Sequence, residues 1–129
     1  MGKGEGQIIM NRIIEFRTWD NRWNNWVGIF EAKFLNNPEY SVQEFTGLYS
    51  VGKNKIFEGD IINTKPARYE VVFKDGMFVA KWLMGIGNIS YVPLIDICSD
   101  SIIIGNIFEN PDKLIDPIKQ LISASKLKS

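Results

Sequence analysis

Two carboxylates separated by one residue, Glu58 and Asp60, are the first candidates for chemistry. Side chains two apart on a strand leave from the same face, so the pair could hold a cation or divide acid and base roles. Gly59 between them offers a plainer reading: a bend, with the Asp60 carboxylate accepting backbone N–H groups. A metal would need further oxygen ligands brought in from elsewhere. Asp96 and Asp100 form a second acidic group. The chain has no histidine, which removes Ser-His-Asp and Cys-His catalysis, histidine zinc sites and the usual general base near neutral pH. Its one cysteine, Cys98, can form neither an internal disulfide nor a CxxC pair. It closes the apolar, strand-like run Leu94-Ile95-Asp96-Ile97-Cys98, where a buried thiol packs as a small hydrophobe. Gly85-x-Gly87 is too short for a phosphate-binding fingerprint. No residue earns a catalytic, cofactor-binding or metal-ligating assignment, and the expectation is a protein that is not an enzyme.

Binding is the alternative to catalysis. Lys53, Lys55, Lys65, Arg68, Lys74 and Lys81 fall near Tyr69, Phe73, Phe78 and Trp82. Small barrels use such cations for a nucleic-acid backbone and such rings under bases. Against this, fifteen basic residues balance fifteen acidic ones, so no overall field draws the chain to nucleic acid. Trp19, Trp23, Trp26 and Phe30 recur at spacings of a helical stripe, in a stretch also readable as strand. Buried, they are core; exposed, they are an interface.

The elements that must position these residues are mostly strands. Ile14–Trp19 alternates, Asp20–Arg22 reads as a turn, and Trp26–Ile29 as a second strand. Residues Phe30–Leu35 either continue that strand or form a helical turn. Gln43–Phe45 reads as a short strand and Gly47–Lys55 as an irregular loop. Glu58-Gly59-Asp60 is a bend entering a strand. Lys74-Asp75-Gly76 between Tyr69–Phe73 and Met77–Trp82 is a strong hairpin signal, because Asp-Gly meets the positive φ of a tight hairpin turn. Tyr91–Ile97 reads as an edge strand interrupted by Pro93, and Ser101–Phe108 as a further strand. Asn110-Pro111-Asp112 then predicts a helix over about 111–126, with Leu114, Ile115, Ile118, Leu121 and Ile122 as its apolar stripe.

With 129 residues, 45% hydrophobic and 23% charged, the chain fits one globular domain, residues 8–129 after a flexible segment 1–7, with barrel strands over about 43–108. It can bury roughly two thirds of its unfolded surface, so it needs no staples. Apolar runs fall short of the roughly 20 residues of a membrane span. The unpaired cysteine predicts a reducing cytoplasm. Many short strands at close spacing predict a mainly β fold, a small barrel or strongly bent sheet with a C-terminal helix.

Three segments together carry a resemblance: Phe16-Arg17-Thr18-Trp19-Asp20; Phe45-Thr46-Gly47-Leu48 followed by Lys55-Ile56-Phe57-Glu58-Gly59-Asp60-Ile61-Ile62; and Ile104-Gly105-Asn106-Ile107-Phe108-Glu109-Asn110-Pro111. In this order and spacing, over about Arg12 to Leu114, the chain resembles the YopX family of phage and prophage proteins. It departs from the family pattern at Tyr49–Asn54, where an Asp-Lys-Asn-Gly turn is usual, and Trp23–Val42 matches no family pattern. The resemblance implies an SH3-like small barrel with added elements, in the cytoplasm of a bacterial host. It implies no catalytic residue. Gly47, Gly59 and Gly105 would supply tight backbone geometry; Trp19, Phe57 and Phe108 would fill the core; Asp20, Asp60, Glu109 and Asn110 would cap turns. The expected role is a non-enzymatic binding or assembly module, through a protein partner or self-association into a homo-oligomer. A nucleic-acid-binding accessory role is the alternative. No cofactor and no membrane are expected.

Overall fold

The computed structural model describes residues 12–65, 67–83 and 88–115. Its strands are β1 (Phe16–Asp20), β2 (Asn25–Val27), β3 (Tyr40–Tyr49), β4 (Lys55–Phe57), β5 (Asp60–Thr64), β6 (Ala67–Lys74), β7 (Met77–Leu83), β8 (Ile89–Pro93) and β9 (Ile102–Asn106). They form a four-stranded sheet in the order β2-β1-β3-β4 and a five-stranded sheet in the order β8-β7-β6-β5-β9. Every pairing is antiparallel. One sheet curls into a half-barrel, and the fold is mainly β, as the residue pattern predicts.

The hairpin at Asp75-Gly76 forms as its chemistry requires. Both residues take positive φ, 53° and 82°, and Lys74 pairs with Met77 across the turn. Inward positions of β6 and β7 then fall in register, Val71 against Ala80. With Ile56, Ile62, Ala67, Tyr69, Leu94 and Cys98 they make the core, against which Leu48, Phe78 and Trp82 pack.

Several elements differ from the expectation, each for a local reason. The short strand expected at Gln43–Phe45 is the middle of β3, which runs on through the stretch expected to be irregular as far as Tyr49. Gly47, at φ 82°, falls where the β3–β4 register shifts, so the glycine marks a bulge rather than the end of the strand. The Thr46 hydroxyl stabilises it, donating to the Ile56 carbonyl at 2.8 Å and accepting the Leu48 N–H at 3.2 Å.

The strand expected over Tyr91–Ile97 stops at Pro93. Leu94–Ile97 is a helical turn, α1, that seats Leu94 in the core and leads Cys98 to a buried position with its thiol near the Ile95 carbonyl. The strand expected over Ser101–Phe108 ends at Asn106, whose side-chain oxygen accepts the N–H groups of Phe108 and Glu109 and turns the chain away. Ala32–Phe34 is a 3-10 turn, the helical alternative for that segment. Of the helix predicted over 111–126, Pro111–Leu114 forms a 3-10 turn and Ile115 is extended. The remainder lies outside the described residues, as does the segment 1–7.

Candidate functional site

The helical reading of the aromatic stripe gives way to a hairpin. Trp19 on β1 pairs with Trp26 on β2, their rings edge to face at 5.0 Å, while Trp23 in the turn between them is 73% exposed. Arg17 lies two residues before Trp19 on the same face of β1. Its guanidinium sits 4.7 Å from the Trp26 ring centre and 4.8 Å from that of Phe57 on β4. Nη2 donates to Asp60 Oδ1 at 2.7 Å, and Nε donates to Gln43 Oε1 at 3.2 Å. A cation between two rings, bonded to a buried carboxylate, is held by stacking and charge together.

Asp60 opens β5, and its side chain is only 3% exposed. Its second oxygen accepts the Phe57 N–H at 2.7 Å, which closes the Glu58-Gly59 turn across the bend. Burial raises its carboxyl above the ordinary value, opposed by the Arg17 charge and the Phe57 N–H. Gly59 takes φ +88°, and a Cβ there would lie 2.9 Å from the Phe108 ring. The Gly59 N–H donates to the Val71 carbonyl and its carbonyl accepts the Ile107 N–H, so the turn stitches the two sheets together.

The third segment joins from β9. Glu109 Oε1 accepts from Trp26 Nε1 at 2.8 Å and from Asn106 Nδ2 at 2.9 Å. Those hydrogen bonds, Asn106's first, hold its carboxyl below the ordinary value. Phe108 packs 6.0 Å from Trp19 and 6.2 Å from Trp26. The three sequence segments therefore meet in one cluster. Arg17, Gln43, Asp60, Asn106 and Glu109 are each bonded to a residue of another turn or strand. Two members escaped the sequence reading. Gln43 precedes its motif, and Trp26 lies in the segment without a family pattern; the only signal for Trp26 was its place in the aromatic series.

Glu58 and Asp60 do not form a pair. Asp60 turns inward to Arg17, whereas Glu58 stays half-buried on the lip of a cleft of about 300 Å³ lined by β3, the β4–β5 turn, β6 and the residues after β9. Desolvation raises the Glu58 carboxyl above its ordinary value. Among the described residues no group of three or more His, Cys, Asp or Glu could hold a metal. Asp96 lies on α1 and Asp100 on the 3-10 turn after it. Of the cations named above, Lys55 pairs with Glu15 and Lys74 with Asp75, both near 2.7–2.8 Å, and Arg68 donates to the Lys113 carbonyl. Tyr69 is core, while Phe73 is 55% exposed against Phe78. No helix among the described residues is long and apolar enough to cross a membrane.

The scaffold is thus a two-sheet β protein whose sheets are joined through a sandwiched arginine and a buried aspartate. The YopX protein family profile matches residues 29–115, and the chain belongs to that family. The match takes in the second and third segments; Phe16–Asp20 precedes it but packs onto both. The crystal structure of protein EF1440 from Enterococcus faecalis is similar, with a TM-score of 0.56 at 20% identity, covering 81% of this chain and 100% of that one. At that identity the likeness is one of fold. No curated protein matches the chain significantly.

Proposed function

We propose that this is a non-enzymatic binding module of phage or prophage origin, built on an SH3-like half-barrel and acting through protein–protein contacts in the bacterial cytoplasm. One observation supports this reading: Arg17, Gln43 and Asp60, and likewise Trp26, Asn106 and Glu109, bond to one another, while Trp23, Ile29 and Ile14 stand 73%, 64% and 61% exposed around the β1–β2 hairpin. Exposed aromatic and aliphatic side chains favour a protein surface as partner. The test uses the full chain as bait in host-cell extract, with Trp23→Ser as control, and light scattering of the purified protein. The expected result is a stoichiometric partner, or a homo-oligomer, that the Trp23 variant loses. Retention on heparin that falls with salt, with no protein partner, would favour the nucleic-acid role instead.

A further inference from the structure

Consecutive strand residues point to opposite faces, so a cavity touching Ser41, Val42 and Gln43 in turn touches the edge of β3 itself. That edge is open. The Phe45 N–H donates toward β1, to the Glu15 carbonyl, and the Glu44 carbonyl faces the other way, accepting the Glu58 N–H. Backbone groups alternate along a strand, so the N–H and C=O of Val42 share the direction of Glu44. The β3–β4 pairing starts at Phe45 with Phe57, and among the described residues nothing bonds the Val42 backbone on that side. A half-buried N–H and C=O without a protein partner call for water or a ligand.

What surrounds this edge has a consistent character. Val72, Ile107 and Phe108 supply apolar walls, and Glu58 and Glu70 add two carboxylates with no lysine or arginine in the lining. Neither carboxylate makes an ion pair among the described residues, although Glu70 stands opposite Lys81 in the β6–β7 ladder. Desolvation opposes the Glu58 charge, while the Glu44 backbone N–H favours it and the Glu44 carboxylate opposes it more weakly.

We propose that the β3 edge at Val42 takes a short extended segment of a partner protein by strand addition, with a lysine or arginine of that segment seated between Glu58 and Glu70. Main-chain bonds to Val42 supply affinity, and the carboxylates supply selectivity for a basic side chain over the Phe108 ring. A cleft of about 300 Å³ has room for a side chain and its backbone, not for a folded domain. This rests on the protein-binding reading and names its site and its ligand chemistry.

The experiment is an NMR titration of the full 15N-labelled chain with a capped heptapeptide of alternating valine and lysine. The expected result is a downfield shift of the Val42 amide, with shifts at Glu58, Glu70 and Phe108. The Glu58→Gln/Glu70→Gln variant should weaken binding about tenfold while melting no lower than the wild type, since neither carboxylate makes an ion pair among the described residues. A heptapeptide N-methylated at its central residues should bind as weakly, which tests the edge without altering the protein. An unmoved Val42 amide, or equal binding by a glutamate-for-lysine peptide, would overturn the proposal. So would butylguanidinium alone reproducing every shift, since the cleft would then read small cations and not strands. A partner captured by the wild type and equally by the double variant would overturn this site and leave the protein-binding reading standing.

Discussion

The arginine cluster and the cleft lie on opposite sides of one turn, Glu58-Gly59-Asp60, and differ in how their polar groups are satisfied. On the Asp60 side, carboxylate, guanidinium, amide and indole N–H are bonded to each other, with aromatic rings excluding water. On the Glu58 side, two carboxylates make no ion pair and the Val42 N–H and C=O have no bonded partner among the described residues. Closed networks of this kind fix a structure, because each member is costly to leave alone. Open polar groups at a cleft contribute little to folding and are available to a ligand. Two adjacent acidic residues of the same motif therefore do different work, and their orientation, not their type, separates them.

The largest effect should come from breaking the closed side. Asp60→Ala leaves the Arg17 guanidinium without its counter-charge and the Phe57 N–H without an acceptor. A cost of about 3 kcal/mol is expected, read as a fall of about 10 °C in the calorimetric melting temperature. A fall under about 2 °C would show that Arg17 and Asp60 do not tie the sheets.

Gly59→Ala comes next, at about 2 kcal/mol, because the new side chain must accept φ +88° and displace the Phe108 ring. Urea unfolding checks it, and Phe108→Leu in the same chain should recover part of the loss, since the contact is shared. Additive losses would locate the strain in the backbone alone.

Trp26→Phe keeps a ring near Arg17 but removes the indole N–H that Glu109 accepts. About 1 kcal/mol is expected, since Asn106 still donates to that oxygen. Denaturant midpoints of Trp26→Phe, Glu109→Gln and the double variant would give the coupling directly; no coupling would disconnect β2 from the third segment.

The smallest effect, and one of opposite sign, belongs to the cleft. Burial raises the Glu58 carboxyl in the folded chain, so the folded state holds its proton more tightly than the unfolded one. Wild-type stability therefore falls as pH rises from the ordinary value of 4.5 through the raised one, and stays lower above it. Glu58→Gln does not titrate. It should match the wild type below that window and exceed it at neutral pH by under about 1 kcal/mol, the exposure of the site limiting the gain. Thermal scans across pH 3–8 measure the difference; a variant less stable at neutral pH would mean Glu58 belongs to the closed network.

Local signals were legible where the chemistry is local. Asp75-Gly76 specifies its hairpin because positive φ at both positions suits few other residues. Alternation placed β1, and Gly59 announced the bend that Asp60 closes. Local reasoning erred where a residue's usual meaning depends on its surroundings. Gly47 looked like a strand terminator and is a bulge, because Thr46 bonds across to Ile56 and β4 continues to pair. In the aromatic stripe, where spacing also fitted a helix, the strand-turn-strand reading is the one that forms, because Trp19 and Trp26 find each other across a turn. By itself the sequence determined the mainly β character, the tight turns and the family, all set by residue type and order along the chain. Only the tertiary structure decided that Arg17 and Asp60, 43 positions apart, meet between two rings, and that Glu58 turns outward beside an open strand edge. Those facts depend on which faces of two sheets oppose each other, and charge, burial and unpaired backbone become properties of a residue only once that packing is set.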